Sequence, residues 1–122
     1  MIELAKIPVY RLVFRFHIYL DRVVHTYPKK YYYMIGERIR KVNLALVEKI
    51  HAIASSKGKS QQKHFESLKK IIEKLKFYMR LSFEYQLLKE KQMIYIFSEI
   101  IRIEKQLYLW QEAGKAKEKR QT

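Results

Sequence analysis

The chain has 122 residues, a formal net charge of +14, 48% hydrophobic residues, three glycines, two prolines and no cysteine. This is the length of one domain with a real core, and it excludes a disulfide framework, a thiol nucleophile and a thiolate metal site. No apolar run approaches the roughly 18 residues that span a bilayer, and scarce turn formers beside 31% charged residues point to an all-helical bundle.

The first predicted helix runs from about Ile7 to Thr26. Pro8 sits in its first turn, and Leu12, Phe16, Tyr19, Leu20, Val23 and Tyr27 recur at helical spacing. Val13 and Val24 widen that stripe, so this helix contacts more than one neighbour. A corner follows at Tyr27-Pro28-Lys29-Lys30-Tyr31-Tyr32-Tyr33-Met34-Ile35-Gly36. Pro28 disfavours the helical conformation at Tyr27, which ends the first helix. It is equally suited to opening the next, where its missing N–H has no partner to lose.

The second helix is expected over about 29–54. Ile35, Ile39, Val42, Leu46, Ile50 and Ile53 form a bundle seam. Gly36 inside it costs about 1 kcal/mol relative to alanine. Close approach of a neighbouring helix or the geometry of the corner justifies that cost. Ser55-Ser56-Lys57-Gly58-Lys59-Ser60 reads as a loop, with Ser60 as the cap of the next helix. The third helix, about 61–85, has a seam of Phe65, Leu68, Ile72, Leu75, Met79 and Ser82. The fourth, about 90–112, continues with Met93, Phe97, Ile100, Ile103, Leu107 and Trp110, and Ala113-Gly114 is expected to end it. This places a bundle domain at 1–114 and a frayed basic tail at 115–122. Short connections favour an up-down-up-down antiparallel four-helix bundle.

Charge is sorted along the chain. Residues 28–80 hold fourteen Lys/Arg against four acids, whereas residues 81–112 hold four against five. Such sorting suggests a face for a polyanionic partner. The candidate contacts are Lys29, Lys30, Arg38, Lys41, Lys49, Lys57, Lys59, Lys69, Lys70, Lys74, Lys76 and Arg80. A solvated lysine-rich surface is the plainer alternative.

Nothing in the residues argues for catalysis, a metal or a cofactor. Glu48 and His51 form a single E-x-x-H, whereas di-iron bundles need two copies. His17, His25, His51 and His64 lack zinc-like pairing. Gly58-Lys59-Ser60 lacks the rest of a phosphate-binding loop. Tyr31, Tyr32 and Tyr33 are consecutive and point in three directions around a helix, so at least one is exposed or covered by another subunit. The interface use is favoured over base stacking.

The corner and the later helices carry a resemblance. Tyr27-Pro28-Lys29, Tyr33-Met34-Ile35-Gly36 and Arg38-Ile39 are followed by Leu75 with Arg80-Leu81, and by Ile103, Leu107 and Trp110. This pattern resembles the four-helix-bundle family that includes the accessory variability determinant (Avd) of diversity-generating retroelements. The same family holds proteins encoded in intervening sequences of bacterial 23S ribosomal RNA genes. The resemblance implies assembly into a homopentameric barrel, with Tyr31, Tyr32, Tyr33, Gly36 and Trp110 as candidate interface residues. It also implies a cytoplasmic accessory protein that binds reverse transcriptase and nucleic acid and supports mutagenic copying of a template RNA. An intervening-sequence protein and a structural or partner-binding bundle stay open beside it.

Overall fold

The computed structural model describes residues 7–121 and is all-helical, with no strand among the described residues. Residues 1–6 of the expected domain and Thr122 of the expected tail lie outside the described residues. Helix α1 spans Pro8–His25, with Ile7 extended before it and proline in its first turn. It closes where the Thr26 hydroxyl donates to the Val23 carbonyl at 2.6 Å. After Pro28 the chain turns back as α2, a continuous rod of three segments: Lys29–Tyr31, a single π turn at Tyr32–Gly36, and Glu37–Ala54.

The π turn is absent from the expectation of a plain helix over 29–54. It coincides with a close approach of α1. A Cβ built on Gly36 would lie 3.0 Å from Tyr32 Cδ2 and 3.2 Å from Val24 Cγ1. Glycine therefore admits both the neighbouring helix and the widened turn, and π turns inside α-helices are usually single turns of this kind.

Helix α3 spans Gly58–Glu84, three residues earlier than the serine cap implied. Ser60 lies inside the first turn and caps nothing. Lys57 precedes the helix in an extended conformation, and Gly58 takes φ +61°, a left-handed value that suits glycine. The serines serve α2 instead. Ser55 Oγ donates to His51 O at 2.6 Å and Ser56 Oγ to Ile53 O at 3.2 Å. Gln61 Nε2 donates to both Ile53 O and Ser56 O at 2.9 Å, which satisfies carbonyls that the helix end leaves open.

At the far end of α3, Gln86 takes φ 63°. Leu87 N then donates to Ser82 O and Gln86 N to Phe83 O, each at 2.9 Å, the two bonds of a Schellman closure. Helix α4 spans Glu90–Gln121. Its start is held by Gln92 Oε1, which accepts from Lys89 N at 2.8 Å. The helix does not stop at Ala113–Gly114, as the sequence suggested. One exposed-end glycine costs about 1 kcal/mol, and the alanine, lysine, glutamate and arginine around it favour helix.

Each helix packs on its chain neighbours, and α4 returns to α1. Cross-helix pairs fix the antiparallel sense: Asp21 with Arg40, Lys49 with His64, Phe65 with Trp110, and Tyr19 with Tyr95. The expected seams of α2 and α3 are buried at every position, from Ile35 to Ile53 and from Phe65 to Ser82. In α4 the seam is rotated slightly. Ile96 and Gln111 are buried within it, whereas Phe97 and Trp110 pack from its flanks. Asn43 is a buried polar clasp between α1 and α2: its Nδ2 donates to His17 O at 2.9 Å, and His17 Nδ1 lies 3.1 Å from Asn43 O. Near the corner, Tyr27 is buried, and that burial raises its phenol above the ordinary value, with the nearby Ser82 hydroxyl opposing the shift. No helix among the described residues is long and apolar enough to cross a membrane.

Candidate nucleic-acid interface

The antiparallel pairing of α2 and α3 sets the geometry of the basic region. Lys49 Nζ lies 3.3 Å from His64 Nδ1, across the two helices. Continuing that register, Lys41 comes level with Ile72 and Arg38 with Leu75. Arg38 and Lys41 are exposed and share the flank of α2 that carries Lys49. On α3, Lys70 and Lys74 are exposed on the side away from Ile72. Lys63, which sequence reasoning passed over, joins them. A helix turns 100° per residue, so these three lie within about 40° of one another on the outer side of α3. The signal was there as the seven-residue spacing from Lys63 to Lys70.

The other candidate cations do not join this face. Lys69, Lys76 and Arg80 turn toward α4. Lys69 Nζ is 3.2 Å from Glu66 Oε1. Lys76 Nζ sits 3.0 Å from Glu73 Oε1 and 2.9 Å from Glu104 Oε2, and its hydrogen bond to Glu104 raises the ammonium above the ordinary lysine value against the opposing effect of burial. The Arg80 guanidinium lies 5.4 Å from the centre of the Phe97 ring. Lys29 and Lys30 stand at the corner, with the Lys30 ammonium 5.8 Å from the Tyr31 ring centre. Lys57 and Lys59 stand at the opposite end, about 40 Å away along the 27-residue α3. The twelve candidates therefore fall into an α2–α3 face, an α3–α4 groove and two bundle ends.

The five cations of the α2–α3 face, Arg38, Lys41, Lys63, Lys70 and Lys74, form no ion pair among the described residues. Glu37 and Glu48 are exposed on α2, and Glu66 and Glu73, paired with Lys69 and Lys76, border the outer side of α3, so the five cations still leave the balance of the face positive. Such a surface can neutralise phosphates and release their counterions.

The expected interface residues are used mainly inside the chain. Gly36 is buried against Val24, and the Trp110 ring stands edge-on to Phe65 at 5.4 Å. Tyr31 packs on Tyr85 at 5.4 Å. The Tyr32 hydroxyl accepts from Arg40 Nη1 at 2.8 Å, in a cluster where Arg40 Nε also donates to Asp21 Oδ1 at 2.9 Å. These bonds raise the Arg40 guanidinium, the Tyr32 bond foremost. Only Tyr33 of the set stays open, 60% exposed.

A different apolar surface lies on α4. Ile94, Ile101 and Tyr108 recur every seven residues and are 63%, 63% and 61% exposed. Tyr108 also borders a groove of about 270 Å³ lined by Phe65, Leu68, Ile72 and Leu107, with Lys69, Glu73, Glu104 and Gln111 around it. Sequence reasoning missed this stripe because the buried seam beside it has nearly the same period. Glu48 and His51 meet Tyr10 and Val47 in a shallow depression between α1 and α2. Comparison of the chain with protein-family models, with curated proteins and with solved structures finds no match.

Proposed function

We propose that this chain is a non-enzymatic nucleic-acid-binding bundle that docks phosphate backbones on its α2–α3 face. The observation that carries the reading is the segregation of its cations. Lys69 and Lys76 are held by Glu66, Glu73 and Glu104, whereas Arg38, Lys41, Lys63, Lys70 and Lys74 stand together without ion pairs among the described residues. Phosphate contacts supply affinity and leave base sequence unread. In the retroelement setting that the corner motif suggests, the bundle acts as a cytoplasmic accessory of a reverse transcriptase. The polymerase supplies the chemistry, and the bundle holds template RNA or its DNA copy.

Reversal of Lys70 and Lys74 to glutamate tests this directly. The variant is expected to lose binding to all sequences alike, as phosphate contacts do, and to keep its fold because both side chains are exposed. Reversal of Lys69, on the α4 side, is expected to leave binding nearly unchanged. Equal losses from both variants would show that net charge, rather than this face, controls binding.

Self-association belongs to the same reading. The seven-residue stripe of Ile94, Ile101 and Tyr108 has the period of a helix-to-helix seam and exposes more apolar side chain than a lone bundle needs. A second copy of the chain is its proposed occupant, with a five-fold ring as the arrangement that the family resemblance suggests. Symmetry would then multiply a weak phosphate contact into avidity. Light scattering should find an oligomer that Ile101→Glu dissociates. A monomeric wild type at micromolar concentration would overturn this part and favour a bundle that offers α4 to a different protein.

A further inference from the structure

Phe77 is 58% exposed and stands outside the apolar core and its partly buried surround. Among the described residues its one ring neighbour is the adjacent Tyr78, 5.8 Å away between centroids. Its position is set by the lysines. Lys63, Lys70 and Phe77 follow at seven-residue intervals, so they line up along one side of α3, with Lys74 between the last two. At 1.5 Å per residue, Phe77 lies about 4.5 Å along the axis from Lys74 and about 10.5 Å from Lys70.

We infer that this stripe is a single-strand site, in which Phe77 stacks a nucleobase while Lys70 and Lys74 hold the flanking phosphates. The inference rests on the nucleic-acid reading above and adds a ligand class to it. In a duplex the bases are stacked on one another and only phosphates and groove edges face a protein. A bare phenyl ring set in a phosphate-binding stripe would there meet charge and water, with no partner for its π-face. A single strand offers unstacked bases, and stacking on aromatic side chains beside a cationic track is how sequence-tolerant single-strand binders work. The tyrosines at the corner serve this purpose less well. Tyr31 and Tyr32 are engaged within the chain, and Tyr33 sits edge-on to Tyr32 at 5.6 Å. The side of α3 from Lys63 to Phe77 covers about 21 Å, room for a few nucleotides.

The experiment measures binding of the full chain to a single-stranded RNA oligonucleotide and to an RNA duplex of equal length, at one salt concentration. Wild type is expected to prefer the single strand. Phe77→Leu keeps an apolar side chain but removes the ring, and it should weaken single-strand binding about tenfold while leaving duplex binding and helicity by circular dichroism unchanged. Phe77→Trp should bind the single strand at least as well as wild type. Single-strand binding by Phe77→Leu equal to wild type, or equal losses on strand and duplex, would overturn the inference. In that case, continued sensitivity to Lys70→Glu with Lys74→Glu would leave the nucleic-acid reading standing. If wild type binds neither probe, that reading fails and this inference fails with it.

Discussion

Two helix glycines should respond in opposite directions to the same substitution. At Gly36 an added Cβ meets Tyr32 Cδ2 at 3.0 Å and Val24 Cγ1 at 3.2 Å, both closer than ordinary contact. Val24 is fully buried and cannot swing away. Overpacking of this kind costs about 1–3 kcal/mol, and the better helix propensity of alanine returns about 1 kcal/mol. Gly36→Ala should therefore destabilise by up to about 2 kcal/mol. Gly36→Leu should do more damage. At Gly114 the nearest atom to an added Cβ is Gln61 Oε1 at 3.5 Å, an ordinary contact. Gly114→Ala should stabilise by up to about 1 kcal/mol, less where the helix end frays. Urea titration at 25 °C, read through the midpoint at constant slope, checks both. A Val24→Ala partner mutation sharpens the test, since it removes the obstructing methyl. The double-mutant cycle with Gly36→Ala should show coupling of about 0.5 kcal/mol or more. A Gly36→Ala protein as stabilised as Gly114→Ala, or a cycle with no coupling, would refute the claim that α1 approaches too closely for a side chain.

Gln86 closes α3 in the left-handed region without being glycine, so Gln86→Gly should stabilise by about 1 kcal/mol in the same titration; no gain would mean that its side chain compensates. Lys76 gives a prediction in pH. Its folded-state pKa is raised, chiefly by Glu104, so its stabilising contribution is complete below the ordinary lysine value of 10.5 and is lost as pH rises through the higher folded value. The stability gap between wild type and Lys76→Met should hold steady from about pH 7 to 9 and close as pH rises past 10.5 through the higher folded value. A gap that persists at high pH would assign the effect of Lys76 to packing of its alkyl stem.

The seams of α2 and α3 were legible because their apolar residues sit one per turn on a single face, from Ile35 to Ile53 and Phe65 to Met79. In α4 the apolar residues wrap further round. Ile96 and Phe97 are adjacent, and their order of burial depends on where α3 and α1 stand rather than on spacing. The π turn at Tyr32–Gly36 has no residue signature of its own; it lies where Gly36 is buried beside Val24 of α1. The basic site was half legible. Spacing alone shows that Lys69 and Lys74 both lie off the seam of α3. It does not show that Lys69 borders the groove toward α4 and pairs with Glu66 while Lys74 faces outward, because that choice depends on which neighbour stands on which side. Phe77 was invisible for a related reason, since one apolar residue off a seam carries no signal until its exposure is known.

Five cations on the α2–α3 face without ion pairs among the described residues are proposed to bind phosphate, and a salt series measures this most directly. For a single strand each neutralised phosphate contributes about −0.7 to the slope of log affinity against log salt, so full use of Arg38, Lys41, Lys63, Lys70 and Lys74 gives about −3.5. Affinity of wild type for a single-stranded RNA oligonucleotide should then fall about 130-fold between about 50 and 200 mM salt. The Lys70→Gln, Lys74→Gln double variant should fall only about 20-fold over the same range. A wild-type affinity that stays constant across the series, or a double variant with the wild-type slope, would contradict the account and leave this face as solvated surface.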